Sequence, residues 1–294
     1  MAIKRSFGEH LFNACNIAIM AILMVLTLYP IWHVFMASIS VPSVVANVRG
    51  LILWPQGGFS LETYQTCLKH PTLLIAYRNT ILYVVLGTAI NLVLTLLAAY
   101  VLSRKNLMLK PALLAMMMFT MYFGGGLIPT YLLINSLHML NTIWAMVIPG
   151  AINVSNMIIT RTYFVGLPDS LEESARIDGA NEWVVLFKIV LPLSAPIIAV
   201  MSLYYGVAHW NAWFDAMIYL RSRNLYPLAL ILREIVINGD VSSVQEEVDV
   251  YEWKAVTETV KYGTIMLATI PIMCIYPFLQ KYFAKGVLIG AVKG

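Results

Sequence analysis

Residues 168–192, PDSLEESARIDGANEWVVLFKIVLP, are too polar to span a membrane and too patterned to be a plain connector. Ser170 followed by Glu173 is the pattern of a capping box, in which a hydroxyl and a carboxylate satisfy the open N–H groups of a helix start. Asp178–Gly179 then reads as a turn, because glycine takes a left-handed backbone without steric cost. Beyond it Ala180, Trp183, Val184 and Phe187 recur at i, i+3, i+4 and i+7, the apolar face of a second short helix that ends at Leu191–Pro192. The chemistry open to such a segment is recognition. Two short helices at a membrane surface, with small residues at their bend, present a knob that another protein can grip.

A second set of polar and aromatic residues lies inside apolar stretches: Asn153, Ser155 and Asn156, then Tyr204, Tyr205, His209, Trp210, Asn211 and Trp213. Hydrogen-bonding groups beside aromatic faces suit a polyhydroxylated ring, which has polar edges and apolar flats. Each also has a structural reading. Trp210 and Trp213 fit interfacial anchors equally well, Asn153 and Asn156 could bond across a helix interface, and His209 reads as structural.

Groups for bond-breaking chemistry are missing. The sequence has no G-x-x-x-x-G-K-[ST] phosphate loop, no H-E-x-x-H, no paired membrane aspartates and no convincing Ser–His pair. Cys15, Cys67 and Cys274 are scattered, without disulfide or metal spacing, so no metal site is expected.

The elements that must position these residues follow from composition. The 294-residue chain is 60% hydrophobic and 12% charged, with a mean hydropathy of +0.77, whereas soluble domains carry roughly 25% charged residues. Spans of about 20 apolar residues are needed to cross a bilayer, and six are expected at 11–36, 76–102, 111–134, 142–165, 192–214 and 261–280. The basic start before the first is followed by an apolar run too long for a signal peptide, so that span is retained.

With both termini cytoplasmic, the cytoplasmic segments hold Lys4, Arg5, Arg104, Lys105, Lys110, Arg161, Arg176, Lys188, Lys281, Lys285 and Lys293, as the positive-inside rule asks. The outer segments 37–75 and 215–260 are long, and the second carries Glu246, Glu247, Asp249 and Glu252 as a solvated loop or a docking surface. Prolines at 149, 192, 196, 271 and 277 interrupt the spans. The basic residues form no stripe that would suit nucleic acid. Ionisable groups deep in the spans are nearly absent, which argues against the alternative of an ion-coupled secondary carrier.

The spacing Glu173–Ser174–Ala175, Gly179, Ile189 and Leu191–Pro192 resembles the EAA motif of ABC-importer permeases, with Ser174 in place of the usual first alanine. The stretch YRNTILYVVLGTAINLVLTLLAAYVLSR at 77–104 and the terminal GAVKG resemble binding-protein-dependent permeases of the carbohydrate-uptake, maltose-type class. The resemblance covers about residues 70–294. It implies an all-α integral membrane protein of type I importer architecture: an N-terminal helix and outer loop (1–75), a transmembrane domain (76–282) and a cytoplasmic tail (283–294).

It further implies a bacterial inner-membrane location, a second permease subunit as heterodimer partner, two ATP-binding subunits and an extracytoplasmic solute-binding protein. ATP and magnesium would be used by the ATP-binding subunits, and this chain would bind no cofactor. Glu173, Ala175, Asp178, Gly179, Ala180, Ile189 and Pro192 would form the joint to the ATPase, with Glu173 and Asp178 meeting its basic groups and Lys285–Gly294 touching it as well. Asn153, Asn156, Tyr204, Tyr205, Trp210 and Asn211 would line the pathway of an oligosaccharide, polymeric uronates such as alginate included.

Overall fold

The computed structural model describes residues 7–69, 71–238, 259–275 and 277. The acidic cluster at 246–252, the end of the sixth expected span and the tail Lys285–Gly294 lie outside the described residues. Among those described the chain is mostly helical, with one isolated antiparallel bridge, Ser40 to Phe59. In chain order the helices are α1 (Phe7–Ser38), α2 (Pro42–Val45), α3 (Glu62–Lys69), α4 (Pro71–Ser103), α5 (Lys110–Tyr122), α6 (Leu127–Ser136), α7 (Trp144–Val147) and α8 (Val154–Val165). They continue with α9 (Asp169–Ile177), α10 (Glu182–Val185), α11 (Leu191–Leu193), α12 (Ala195–Trp210), α13 (Phe214–Tyr219), α14 (Leu228–Asn238) and α15 (Thr259–Ile275). The chain divides into two units, residues 1–70 with 235–269 and residues 71–234 with 270–294.

In the first unit α1 is apolar on all sides and buries only its last turn, Met36, Ala37 and Ser38. A helix that is mostly apolar and largely uncovered by the described residues is built for lipid. Its C-terminal end is tied down by polar contacts: Trp32 Nε1 donates to the Leu53 carbonyl at 3.0 Å, and the Ser38 and Tyr64 hydroxyls lie 2.7 Å apart. Met36, Ala37, Ile39, Val45 and Ile52 close a small core beside them.

In the second unit α4 is the axis, and α8 and α12 pack along it. Gly87 makes the approach of α12 possible, since a Cβ there would sit 2.3 Å from Nε2 of His209. That ring nitrogen donates instead to Asn91 Oδ1 at 2.7 Å. The Asn91 amide in turn donates to the carbonyls of Gly150 and Ala151 at 2.7 and 3.0 Å. These carbonyls are open because Pro149–Gly150 interrupts the helix between α7 and α8, and apolar surroundings offer them no water.

The spans are less regular than the apolar runs. Only α1 and α4 are by themselves long and apolar enough to cross a membrane, among the described residues; two bent pairs raise the number to four if each pair is one span. The third expected span, 111–134, is α5 and α6 meeting at 112°, with the break at the Gly124–Gly126 run. The fourth, 142–165, is interrupted over 148–153. The fifth, 192–214, is bent by 81° near its start, between Leu193 and Ala195. Before that bend Leu186–Val190 forms a π-helical turn, in which Leu191 N–H reaches the Leu186 carbonyl. Pro192 has no N–H and its ring crowds the preceding turn, and widening that turn relieves both.

The outer segment after α12, expected as a solvated loop or docking surface over 215–260, is folded as far as it is described. Asn79 donates to the carbonyls of Asn224 and Tyr226 (2.7 and 3.1 Å), Tyr83 donates to Leu225 (2.7 Å), and Thr80 Oγ1 accepts from Leu228 N (2.8 Å).

Replacing Asn91 by Leu, which is similar in size but cannot donate, removes its hydrogen bonds to the Gly150 and Ala151 carbonyls, each worth about 0.5–1.5 kcal/mol. The purified protein in detergent is expected to unfold at a clearly lower midpoint temperature than wild type. An unchanged midpoint would mean that other groups satisfy Gly150 and Ala151.

Candidate functional site

The knob expected over 168–192 is present as two short helices with a bend. Its N-terminus differs from the capping-box expectation. Helix α9 starts at Asp169 after Pro168, with no side-chain cap, so Ser170 already lies in the first turn, and Ser174 Oγ donates back to the Ser170 carbonyl at 2.7 Å. Proline sets the entry dihedral, and the first-turn acids Asp169 and Glu172 complement the positive end of the helix dipole.

The C-terminus is a Schellman motif. Gly179 has φ +82°, its N–H bonds to the Arg176 carbonyl at 3.0 Å, and the Ala180 N–H bonds to the Ala175 carbonyl at 2.9 Å. The paired residues Ala175 and Ala180 both pack on the core. Asn181 then caps α10, its Oδ1 accepting from Val184 N at 2.9 Å.

Glu173, Asp178 and Gly179 are exposed, and Glu173 makes no ion pair among the described residues. Ile189 is half-buried and Pro192 exposed. The apolar face is left largely open. Trp183 and Phe187 stack on each other with centroids 6.1 Å apart, yet they are 61% and 58% exposed, and Ile177 is 87% exposed. The side chains that enter the core are Val185 of α10 and Leu186 and Val190 of the π turn. An apolar ridge is left on the outside of the knob.

Charged groups hold the knob to the end of α4. Arg104 pairs with Glu172, and Lys105 lies 2.5 Å from Asp169. That hydrogen bond raises the pKa of the Lys105 ammonium, a contact fully open to solvent screening. Tyr100 donates to Glu182 Oε2 at 2.7 Å, and Arg176 reaches Oε1 at 2.7 Å. Arg161 Nε and Lys110 Nζ donate to the Leu102 and Arg104 carbonyls at 2.9 and 3.0 Å, placing cations at the negative end of α4. Together these side chains line a cavity of about 570 Å³.

A larger cavity, about 1240 Å³, lies between α4, α8 and α12, with the 145–153 break, Asp215 and the end of α15 in its wall. Of the residues expected on a substrate pathway, Asn153, Asn156, Tyr204, Tyr205 and Trp210 line it, and Asn211 does not. Asn153 Oδ1 accepts from Asn156 N at 3.1 Å, which caps α8. Tyr205 is buried, with its hydroxyl 2.6 Å from Thr95 Oγ1 and accepting from Asn153 N at 3.4 Å. Trp210 meets Tyr77 edge to face, and Arg233 covers the ring of Trp213 at 4.5 Å. His209, read as structural, lines the cavity as well.

Sequence reasoning passed over Tyr100, Glu172, Glu182 and Asn91. The first three join residues 68 and 82 positions apart, and Asn91 joins residues 59 apart. The available signal was weaker: an isolated asparagine within a strongly apolar run, which must find partners.

A helical membrane chain that breaks its spans around a largely apolar cavity with a few polar groups in its wall, and that carries an ion-paired knob among basic residues, has the build of a transport permease. Residues 106–289 match the family described as binding-protein-dependent transport system inner membrane component, and the chain belongs to that family. It is 38% identical over 283 residues to protein LplC of Bacillus subtilis, covering 96% of this chain and 95% of that one. It is 39% identical over 291 residues to the polygalacturonan/rhamnogalacturonan transport system permease protein YtcP of the same organism, covering 97% and 99%. Among solved structures it is similar to a chain of a bacterial ABC transporter involved in the import of the acidic polysaccharide alginate, with TM-score 0.87, 30% identity and coverage of 96% and 100%.

Gly179 tests the bend. No atom lies within 4 Å of the place a Cβ would take, so only the positive φ matters, at roughly 1–2 kcal/mol for an L residue. Gly179→Val is expected to speed hydrogen exchange of the 178–181 amides, and Gly179→Asn, which tolerates this backbone, to remain near wild type. Equal exchange in all three would refute the left-handed bend.

Proposed function

We propose that this chain is the permease subunit of a binding-protein-dependent ABC importer for an oligosaccharide, and that it forms half of the translocation pathway in a heterodimer. Six spans, both termini cytoplasmic, complete its path through the inner membrane. The segment 168–192 is the coupling element, seated on one of two ATP-binding subunits that use ATP and magnesium. The observation that carries this reading is the knob itself: a rigid, capped bend at Gly179 with exposed Glu173 and Asp178 beside it, and an uncovered apolar ridge of Ile177, Trp183 and Phe187. Large exposed apolar side chains rimmed by charge mark a surface that another protein covers.

The substrate class rests on the names of the relatives and on the cavity. YtcP is named for polygalacturonan and rhamnogalacturonan, and the structural relative imports alginate, so uronate-containing oligosaccharides are the class to try first. Asn156, Tyr204, Trp210 and His209 in the cavity wall supply the mixture of hydrogen-bonding and flat apolar surface that a sugar ring requires. An external binding protein delivers the substrate to the outer side, where 215–260 is the docking candidate. Neutral oligosaccharides serve as the comparison class.

The test is ATP hydrolysis by the complex in liposomes with its binding protein, using oligogalacturonate and maltotriose as probes. Oligogalacturonate is expected to stimulate hydrolysis in wild type, and Gly179→Arg to abolish the stimulation while the complex still assembles. Uptake without ATP, or full stimulation in Gly179→Arg, would sink the coupling reading. Stimulation by maltotriose alone would overturn the substrate class.

A further inference from the structure

The bend at Gly179 raises a mechanical difficulty. A knob that receives a push at α9 and α10 passes it on only if the two helices move as one body with a membrane helix, and a four-residue helix beside an open glycine does not do so on its own. The side chains that overcome this come from α4. Glu182, the first residue of α10, has both carboxylate oxygens engaged: Oε2 accepts from Tyr100 on α4 and Oε1 from Arg176 on α9, each at 2.7 Å. Arg176 and Glu182 stand on opposite sides of the bend, so this contact closes it.

Arg104 completes the arrangement. Its guanidinium lies 4.3 Å over the Tyr100 ring, pairs with Glu172 on α9 and bonds Ser103 Oγ at 2.9 Å. The Arg104 and Glu172 side chains are only 19% and 15% exposed, so water screens this pair far less than the open Lys105–Asp169 pair. Five residues up α4 from Tyr100, roughly 7.5 Å along the axis, Thr95 meets Tyr205, and Tyr205 reaches the Asn153 cap in the wall of the larger cavity.

We infer that Tyr100, Arg104, Glu172, Arg176 and Glu182 form an ionic clasp that locks α9 and α10 to α4 across the Gly179 bend, and that this clasp positions the knob so that its movement is carried by α4 to the cavity. These are positioning residues, and the inference rests on the coupling role proposed above for 168–192.

The experiment uses the full complex in liposomes and needs no transported substrate. A fluorophore is attached at Val85→Cys, an exposed position in the cavity wall, with the exposed Cys15 and Cys274 replaced by Ala. The change in its emission on adding Mg·ATP with vanadate is divided by the ATP hydrolysed by the same preparation without vanadate. Tyr100→Phe, Glu182→Gln and Arg104→Glu are each expected to lower this ratio at least about fivefold, the low end of coupling between sites. Arg104→Glu combined with Glu172→Arg is expected to recover most of it, which a merely structural loss would not do.

Wild-type ratios in Tyr100→Phe and Glu182→Gln, the two conservative variants, overturn the clasp even if Arg104→Glu does not assemble. A charge-swapped pair that assembles but stays as low as the single variant overturns the Arg104–Glu172 part. A wild-type complex that hydrolyses ATP with no emission change overturns the coupling reading itself, and the clasp with it.

Discussion

A carbonyl or N–H inside a hydrocarbon slab has no water to bond, and each one left open costs several kcal/mol. The second unit is organised around answers to that constraint. Pro149–Gly150 interrupts the path between α7 and α8, and Asn91 reaches across from α4 to take the exposed Gly150 and Ala151 carbonyls. Tyr205 accepts from the N–H of Asn153 and is itself held by Thr95. Pro192 withdraws another donor, and the chain responds with a π turn, followed by Ser194 N–H bonding back to the Val190 carbonyl at 3.0 Å. Each repair comes from another helix or from a local change of pitch, and the larger cavity opens where the Pro149–Asn153 break meets α4 and α12.

The same constraint moves charge to one end. The interior of the second unit is held by packing and by neutral hydrogen bonds, such as Asn91 with His209, whereas Arg104, Lys105, Lys110, Arg161, Asp169, Glu172, Arg176 and Glu182 crowd one end around a single cavity. A nine-residue helix and a four-residue helix have too few turns to be stable alone in water. The knob exists because Ala175 and Ala180 rest on the core and because ion pairs fasten it to α4. A single exposed ion pair contributes about 0–1 kcal/mol, so the network and its half-buried Arg104–Glu172 member matter more than any one contact.

Some of this was readable from residues alone. Composition placed the chain in a membrane, the Asp178–Gly179 pair marked the bend, and the spacing from Glu173 to Pro192 pointed to the permease family before any coordinates. Other features were misread where two local rules competed. Ser170 and Glu173 fit a capping box, but Pro168 started the helix earlier. Trp183 and Phe187 share the apolar face that their spacing gives them, and the structure leaves that face exposed while Val185, Leu186 and Val190 enter the core. The Gly124–Gly126 run reads from the sequence as the end of the third span, whereas the structure turns there by 112° and continues as α6.

What the sequence by itself determined was what short-range chemistry decides: a lipid solvent for the apolar runs, and a left-handed turn at Gly179 that glycine accepts cheaply. The tertiary structure decided which partners the isolated polar groups would find. Asn91 meets Gly150, Tyr100 meets Glu182, and Arg104 meets Glu172 over separations of 59, 82 and 68 residues. No local periodicity records such pairs. They are chosen when helices close-pack and every buried donor or acceptor must find a partner within about 3 Å.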